Sequence, residues 1–158
     1  MTEDELFRRI NHALCDANYG RDVRRAACLA IDLCALGASL FDRSQLEAVE
    51  FAKGYWAGKS TKAERLSLLE ALWTRDREIW EQAPLSAEAC RSRLVVWTLT
   101  DNTGLDDYAG EFMADLALRA GLTPEQIAHA FERNVPEMRG GVDGEQLPPG
   151  VADGQGNG

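Results

Sequence analysis

The stretch from residue 40 to residue 73 constrains the fold most strongly, because two helix-length apolar patterns flank a turn of only a few residues. In the first pattern, apolar residues recur every three or four positions up to Trp56, as on one face of an α-helix. Gly58 is suited to end this helix. Thr61 and Glu64 then match a capping box, which starts a second helix. The stretch therefore predicts a helical hairpin and indicates an all-α fold.

Similar start and stop signals recur along the rest of the chain and predict five further helices. Thr2 and Glu5 form a capping box, and Ser86 follows a proline that ends the preceding helix. Thr123 and Pro124 combine a cap with a proline in the first turn. With the hairpin, these signals predict helices over residues 3–18, 22–38, 42–57, 62–82, 87–100, 105–120 and 124–134.

Two local assignments have alternatives. Asp42 and Ser44 can each cap the third helix. The segment from Leu94 to Thr100 is β-branched and aromatic, as strands often are. A helix is preferred there, because no second strand is available to pair with it.

Hydrophobic spacing also predicts which helix faces turn inward. The second helix is apolar around most of its circumference and is expected at the centre of a bundle. The inner face of the fourth helix is predicted to carry Leu66, Leu69, Trp73 and Trp80, and that of the sixth Leu105, Tyr108, Phe112 and Leu116. The fold class is thus all-α, a single-domain bundle of about six to seven helices over residues 1–138.

Residues 139–158 differ in composition from the rest of the chain. They include seven glycines and two adjacent prolines, and they contain no aromatic residue. Such a segment has too little apolar surface to offset the entropy of ordering. A disordered Gly/Pro-rich tail is predicted.

The charge of the chain narrows its possible partners. The 158 residues carry a net charge of -9, which repels phosphate backbones and disfavours direct binding of nucleic acid. A basic partner protein is favoured instead, although acidic proteins are often simply well solvated. The sequence has no run of 18 apolar residues and its first residues lack the pattern of a signal peptide, so a cytoplasmic location and no membrane contact are expected.

Motifs for catalysis or metal binding are absent from the sequence. It has two histidines, far apart, and no CxxC, HExxH, GxSxG or phosphate-binding glycine pattern. Cys28 and Cys34 lie in an apolar helical run, where reduced thiols act as small hydrophobes. We therefore expect no enzyme, no catalytic residue, no metal and no cofactor.

Acidic residues on the sixth helix are the strongest surface feature. Asp107, Glu111 and Asp115 are spaced by four and form a like-charged stripe, with Asp106 beside it. These four residues are predicted on the outer side of the helix as a docking surface for a basic groove. The simpler interpretation is a solvated face.

Four tryptophans, Trp56, Trp73, Trp80 and Trp97, recur at spacings that place some of them on one helix face. Such an aromatic stripe is more often part of a core than of a binding site. A small-ligand carrier with a tryptophan-lined pocket stays an alternative.

The central hairpin carries a resemblance to a known group. The residues are Leu40-Phe41-Asp42, Leu46-Glu47-Ala48-Val49, Ala52, Trp56, Gly58-Lys59, Ala71 and Trp73. This pattern resembles small helical immunity proteins of bacterial polymorphic-toxin systems. The resemblance implies a non-enzymatic protein that binds and inhibits a toxin by occluding its basic cleft, and it assigns no functional residue.

A second inhibitor hypothesis has a different biological context. A phage-encoded protein that blocks a host nucleic-acid-binding defence complex would also be acidic, compact and free of an active site. Neighbouring genes would separate the two.

Overall fold

The structure, a computed structural model, describes residues 1–139 and is built there from α-helices. The helices are α1 (Glu3–Ala17), α2 (Val23–Leu36), α3 (Arg43–Trp56), α4 (Lys62–Gln82), α5 (Ala87–Trp97), α6 (Asp107–Ala120) and α7 (Pro124–Asn134). Short 3-10 turns follow α2 at Ala38–Leu40 and α7 at Pro136–Met138. The predicted all-α bundle is confirmed. Of the segment with a strand alternative, residues 94–97 belong to α5, and residues 98–100 form a turn after it. The tail predicted for residues 139–158 lies outside the described residues from residue 140 onward.

Side-chain caps explain why the helices begin where they do. Reciprocal capping boxes start α1 at Thr2, α4 at Thr61 and α7 at Thr123, as predicted. Asp42 rather than Ser44 caps α3, and its carboxylate accepts a 2.8 Å hydrogen bond from the Gln45 amide. Each such cap stabilises its helix by about 1 kcal/mol.

Helix α2 lies at the centre of the bundle, as its apolar circumference predicted. It packs against α3, α5 and α7, while α1 packs against α6 and α7. Helix α5 lies between α4 and α6. The core is therefore assembled around α2 and α5, and α4 and α6 each have a face turned away from it.

Helices α1 and α6 approach each other closely at Gly110. A Cβ atom placed on Gly110 would overlap Leu14 Cδ1 on α1. The residues that α6 buries are small for the most part, with Ala109, Ala114, Ala117 and Ala120 among them. A face of small residues lets two helix axes come close together, and here that side of α6 is filled by Leu14 and by the Phe131 ring.

The predicted inner face of α6 is wrong for its two aromatic residues. Tyr108 is 83% exposed and Phe112 is 39% exposed, whereas Leu105 and Leu116 are buried as predicted. The reason is the close approach to α1. Rings at positions 108 and 112 cannot share the side of α6 that Gly110 and its neighbouring alanines occupy.

Helix α4 turns the predicted face inward except at Leu66, because Leu69, Trp73 and Trp80 are half-buried as predicted. Leu66 is 47% exposed, and the buried α4 residues are the charged Arg65 and Asp76. Arg65 Nη1 donates to the Leu99 carbonyl oxygen at 2.6 Å. Asp76 accepts a 2.8 Å hydrogen bond from Ser92 Oγ. Polar contacts, with half-buried apolar side chains around them, therefore hold α4 in place.

Within residues 1–139, none of the helices combines the length and the apolar composition needed to cross a membrane.

Candidate protein-binding surface on helix α6

The four predicted acidic residues differ in their exposure and in their contacts. Asp106 is exposed and caps α6, because its Oδ1 accepts the Ala109 amide at 2.7 Å. Asp107, Glu111 and Asp115 are half-buried. The placement of the whole stripe on the outer side of the helix is thus correct only in part.

The half-buried acids lie beside α1. Asn11 of α1 donates a hydrogen bond from Nδ2 to Glu111 Oε2. The Cys15 thiol, one turn further along α1, donates to Asp107 Oδ2 at 3.6 Å. An i, i+4 stripe drifts around a helix by about 40° per step, so its members cannot all point the same way. The stripe follows the seam between α1 and α6.

Asp115 differs from the other acids because it has a cationic partner. Arg119 Nε lies 2.9 Å from Asp115 Oδ2, and both side chains are half-exposed. Such a surface pair contributes up to about 1 kcal/mol. Among residues 1–139, Asp107 and Glu111 form no ion pair with lysine or arginine, so their charges are not neutralised by contact.

Aromatic side chains border this negative seam. An open recess of about 300 Å³ is lined by Phe7, Tyr108, Glu111, Phe112 and Asp115, which together we term the α6 face. The Phe112 ring centroid lies 6.0 Å from that of Trp97, which steadies Phe112 in an outward position. The face therefore combines apolar rings with carboxylates.

Exposure of two rings on one helix is unusual in this molecule. Over residues 1–139, the other large apolar side chains with comparable exposure are Met1, Leu66 and Leu85, which lie on separate parts of the chain. Single exposed apolar residues need no explanation. Clustered aromatic residues with a polar rim are typical of protein-protein interfaces.

Sequence reasoning found the acids of this surface and missed its rings. Tyr108 and Phe112 fit the spacing of an inner face, which is why they were assigned to the core. The signal that could have placed them outside is the series of alanines and one glycine at positions 109, 110, 114, 117 and 120. Such a series predicts close helix packing on its own side.

The described residues offer little for metal or nucleophilic chemistry. His12 and His129 are both exposed and lie on different helices, α1 and α7. Within residues 1–139, no three His, Cys, Asp or Glu side chains converge as metal ligands would. Burial raises the pKa of the Cys34 thiol, which lowers its reactivity.

The tryptophans are engaged in holding helices together. Trp56 Nε1 donates to the Thr98 carbonyl oxygen at 2.8 Å, and Trp80 Nε1 donates to that of Ala89 at 3.0 Å. Trp73 and Trp80 both lie within cation–π distance of the Arg93 guanidinium. These contacts are structural, and they use the polar atoms of Trp56 and Trp80 that a small ligand would need.

No known protein family, curated protein or solved structure matches this chain. The resemblance of the central hairpin to immunity proteins therefore stays a prediction. The geometry and charge of the α6 face carry the functional argument.

Proposed function

We propose that this chain is a non-enzymatic, cytoplasmic bacterial protein that binds a basic partner protein and inhibits it by covering a basic cleft. The observation that carries the proposal is the exposure of Tyr108 and Phe112 beside the carboxylates of Asp107 and Glu111, which have no ion pair among the described residues. Apolar rings in a negative setting suit a positively charged protein surface. The immunity-like resemblance of residues 40–73 supports the same class of function.

The rings would supply most of the affinity. Complete burial of one large apolar side chain contributes about 1.5–3 kcal/mol. Most of the Tyr108 side chain is available for burial by a partner, since 83% of its surface is exposed in the unbound chain. Aromatic residues near the centre of an interface are the residues that most often dominate binding energy.

The acids would act chiefly on the rate and the selectivity of association. A net charge of -9 attracts a basic protein over a distance set by the ionic strength and repels acidic competitors. Complementary charge steers encounter more than it adds to final affinity. Binding is therefore expected to weaken as salt is raised.

The test starts with affinity capture from the native host at about 50 mM salt, below the ionic strength at which surface charges are strongly screened. Wild type is compared with the double variant Tyr108→Ala/Phe112→Ala and with the control Leu66→Ala, which truncates an exposed apolar side chain on a different helix, α4. A captured protein is then purified, and its binding and activity are measured against each variant.

The expected result is a basic partner whose activity is blocked at one equivalent of wild type and of the Leu66→Ala variant. The double variant should bind about 30-fold more weakly, as a loss of about 2 kcal/mol implies. A partner that is not basic, or one that binds the double variant as tightly as wild type, contradicts the proposal. A toxin or a defence complex as the captured protein would distinguish the two inhibitor contexts.

A further inference from the structure

Three of the protein's own arginines lie in one recurring arrangement, over an aromatic ring and beside a carboxylate. Arg65 lies over the Tyr55 ring at 5.4 Å and donates to Asp101 at 2.8 Å. Arg25 lies over the Tyr19 ring at 3.8 Å, and its Nε donates to Asp22 at 3.0 Å. Arg93 lies over the Trp80 ring at 4.5 Å and donates to the buried Asp76 at 2.8 Å. In all three cases the ring lies within cation–π distance of the flat guanidinium while the carboxylate neutralises it.

The α6 face offers the same pair of groups without the arginine. Tyr108 and Glu111 are three residues apart on α6 and line one recess. Among residues 1–139, no arginine or lysine lies over the Tyr108 ring, and none forms an ion pair with Glu111. The position six residues after Tyr108, which corresponds to Arg25 after Tyr19, is the buried Ala114. Residues 1–139 therefore supply no cation to this pair of groups, which leaves it open to one from another molecule.

We propose that the α6 face seats an arginine side chain of the basic partner protein, an inference that rests on the proposed function and names its central contact. The guanidinium would stack on the Tyr108 ring and donate to Glu111. Its methylene groups would pack against Phe112. Asn11 prepares the site, because its hydrogen bond to Oε2 of Glu111 holds that carboxylate at the edge of the recess.

Arginine fits this site better than lysine does. Its planar, weakly hydrated guanidinium can stack on a ring and donate to a carboxylate at the same time. An ammonium group is compact and strongly hydrated, so it would keep more of its water in a recess as open as this one. The site should thus discriminate between two residues of equal charge.

The test is a titration of the full chain with synthetic hexa-arginine, hexalysine and hexacitrulline, followed by NMR. Hexacitrulline keeps the shape of the arginine side chain and removes its charge. We expect hexa-arginine to shift the Tyr108 and Phe112 resonances and to bind about threefold or more tightly than hexalysine, a ratio typical of a cation–π contact. Hexacitrulline should not bind measurably.

Matched variants separate the ring from the charge. Tyr108→Ala and Glu111→Gln should each weaken hexa-arginine binding by about threefold or more. Tyr108→Phe, which keeps the ring, should retain the affinity. Asp4→Asn, a change of equal charge at an exposed position in the first turn of α1, should leave it unaltered.

Equal affinity for hexa-arginine and hexalysine, or equal weakening by Asp4→Asn and Glu111→Gln, would show diffuse attraction and overturn the arginine site. The outcome is separable from that of the proposed function. If a captured basic partner binds the Tyr108→Ala and Glu111→Gln variants as tightly as wild type, the inhibitor function is supported and the arginine contact is contradicted. Arginine-specific binding at Tyr108 without any inhibited partner would support the arginine site and contradict the inhibitor function.

Discussion

Asp76 holds helix α4 against α5, and its replacement by alanine tests how much that contact stabilises the protein. The carboxylate is completely buried and accepts hydrogen bonds from Ser92 Oγ and from Arg93 Nε, each at 2.8 Å. Arg93 Nη2 also lies 2.8 Å from Asp76 Oδ2. The change Asp76→Ala removes the acceptor of all these contacts and leaves its donors behind.

The expected loss follows from what remains after the change. Removal of one partner of a buried ion pair costs about 3–5 kcal/mol, because the other charge is left without compensation. Arg93 is 21% exposed and can recover part of its hydration, which places the loss near the lower end. A loss of about 3 kcal/mol corresponds to a fall in melting temperature of about 6–12 °C for a chain of this size.

Urea denaturation followed by tryptophan fluorescence measures this loss, and thermal unfolding followed by circular dichroism gives the change in melting temperature. The control is Asp115→Ala, which breaks a surface ion pair with Arg119 and should cost about 1 kcal/mol or less. If Asp76→Ala lowers the free energy of unfolding no more than this control does, the polar contacts of Asp76 do not hold α4 against α5.

Two further predictions concern the seam between α1 and α6. Gly110→Val should destabilise the protein by about 1–3 kcal/mol or more in urea denaturation, because its side chain overlaps Leu14; an unchanged midpoint would mean that the helices are not in close contact. Cys15 is exposed, but desolvation of its thiol beside α6, together with the charge of Asp107, raises its pKa. Since only the thiolate reacts, alkylation of Cys15 should need a higher pH than alkylation of a free cysteine peptide, and Asp107→Asn should shift the pH profile back to lower pH. Peptide mass spectrometry measures the alkylation rates. Coincident pH profiles for the wild-type protein and the peptide would contradict the reasoning.

Local signals in the sequence were enough to place the helices. A cap such as that of Thr61 with Glu64 involves residues three apart, so its geometry follows from the chain itself. The same holds for the central position of α2, whose apolar residues cover most of its circumference.

Contacts with residues distant in sequence decide the burial of particular positions on α4 and α6, which is why the spacing of apolar residues assigned Leu66, Tyr108 and Phe112 to the wrong face. Arg65 is buried because Leu99 and Asp101 accept its hydrogen bonds from more than thirty positions away. Tyr108 is exposed because Leu14, on another helix, occupies the space next to Gly110.

The candidate surface was accessible to sequence reasoning only for its charges. Asp107 and Glu111 carry charges that favour contact with water in any orientation of the helix, so their sequence alone predicts a position at the surface. A tyrosine or a phenylalanine can serve equally in a core or at an interface. The packing of α6 on α1 decides between the two, and that packing is a property of the assembled bundle.

The polar attachment of α4 also determines where this helix lies along its own axis. Arg65 and Asp76 are eleven residues apart, a separation of about 16 Å along a helix. An apolar stripe on α4 could slide by one turn, about 5.4 Å, and still bury much of its area. The same movement would take Arg65 away from Asp101 and Asp76 away from Arg93 at once, leaving charges at both ends without partners. The two contacts thus select a single axial register for the longest helix of the described chain.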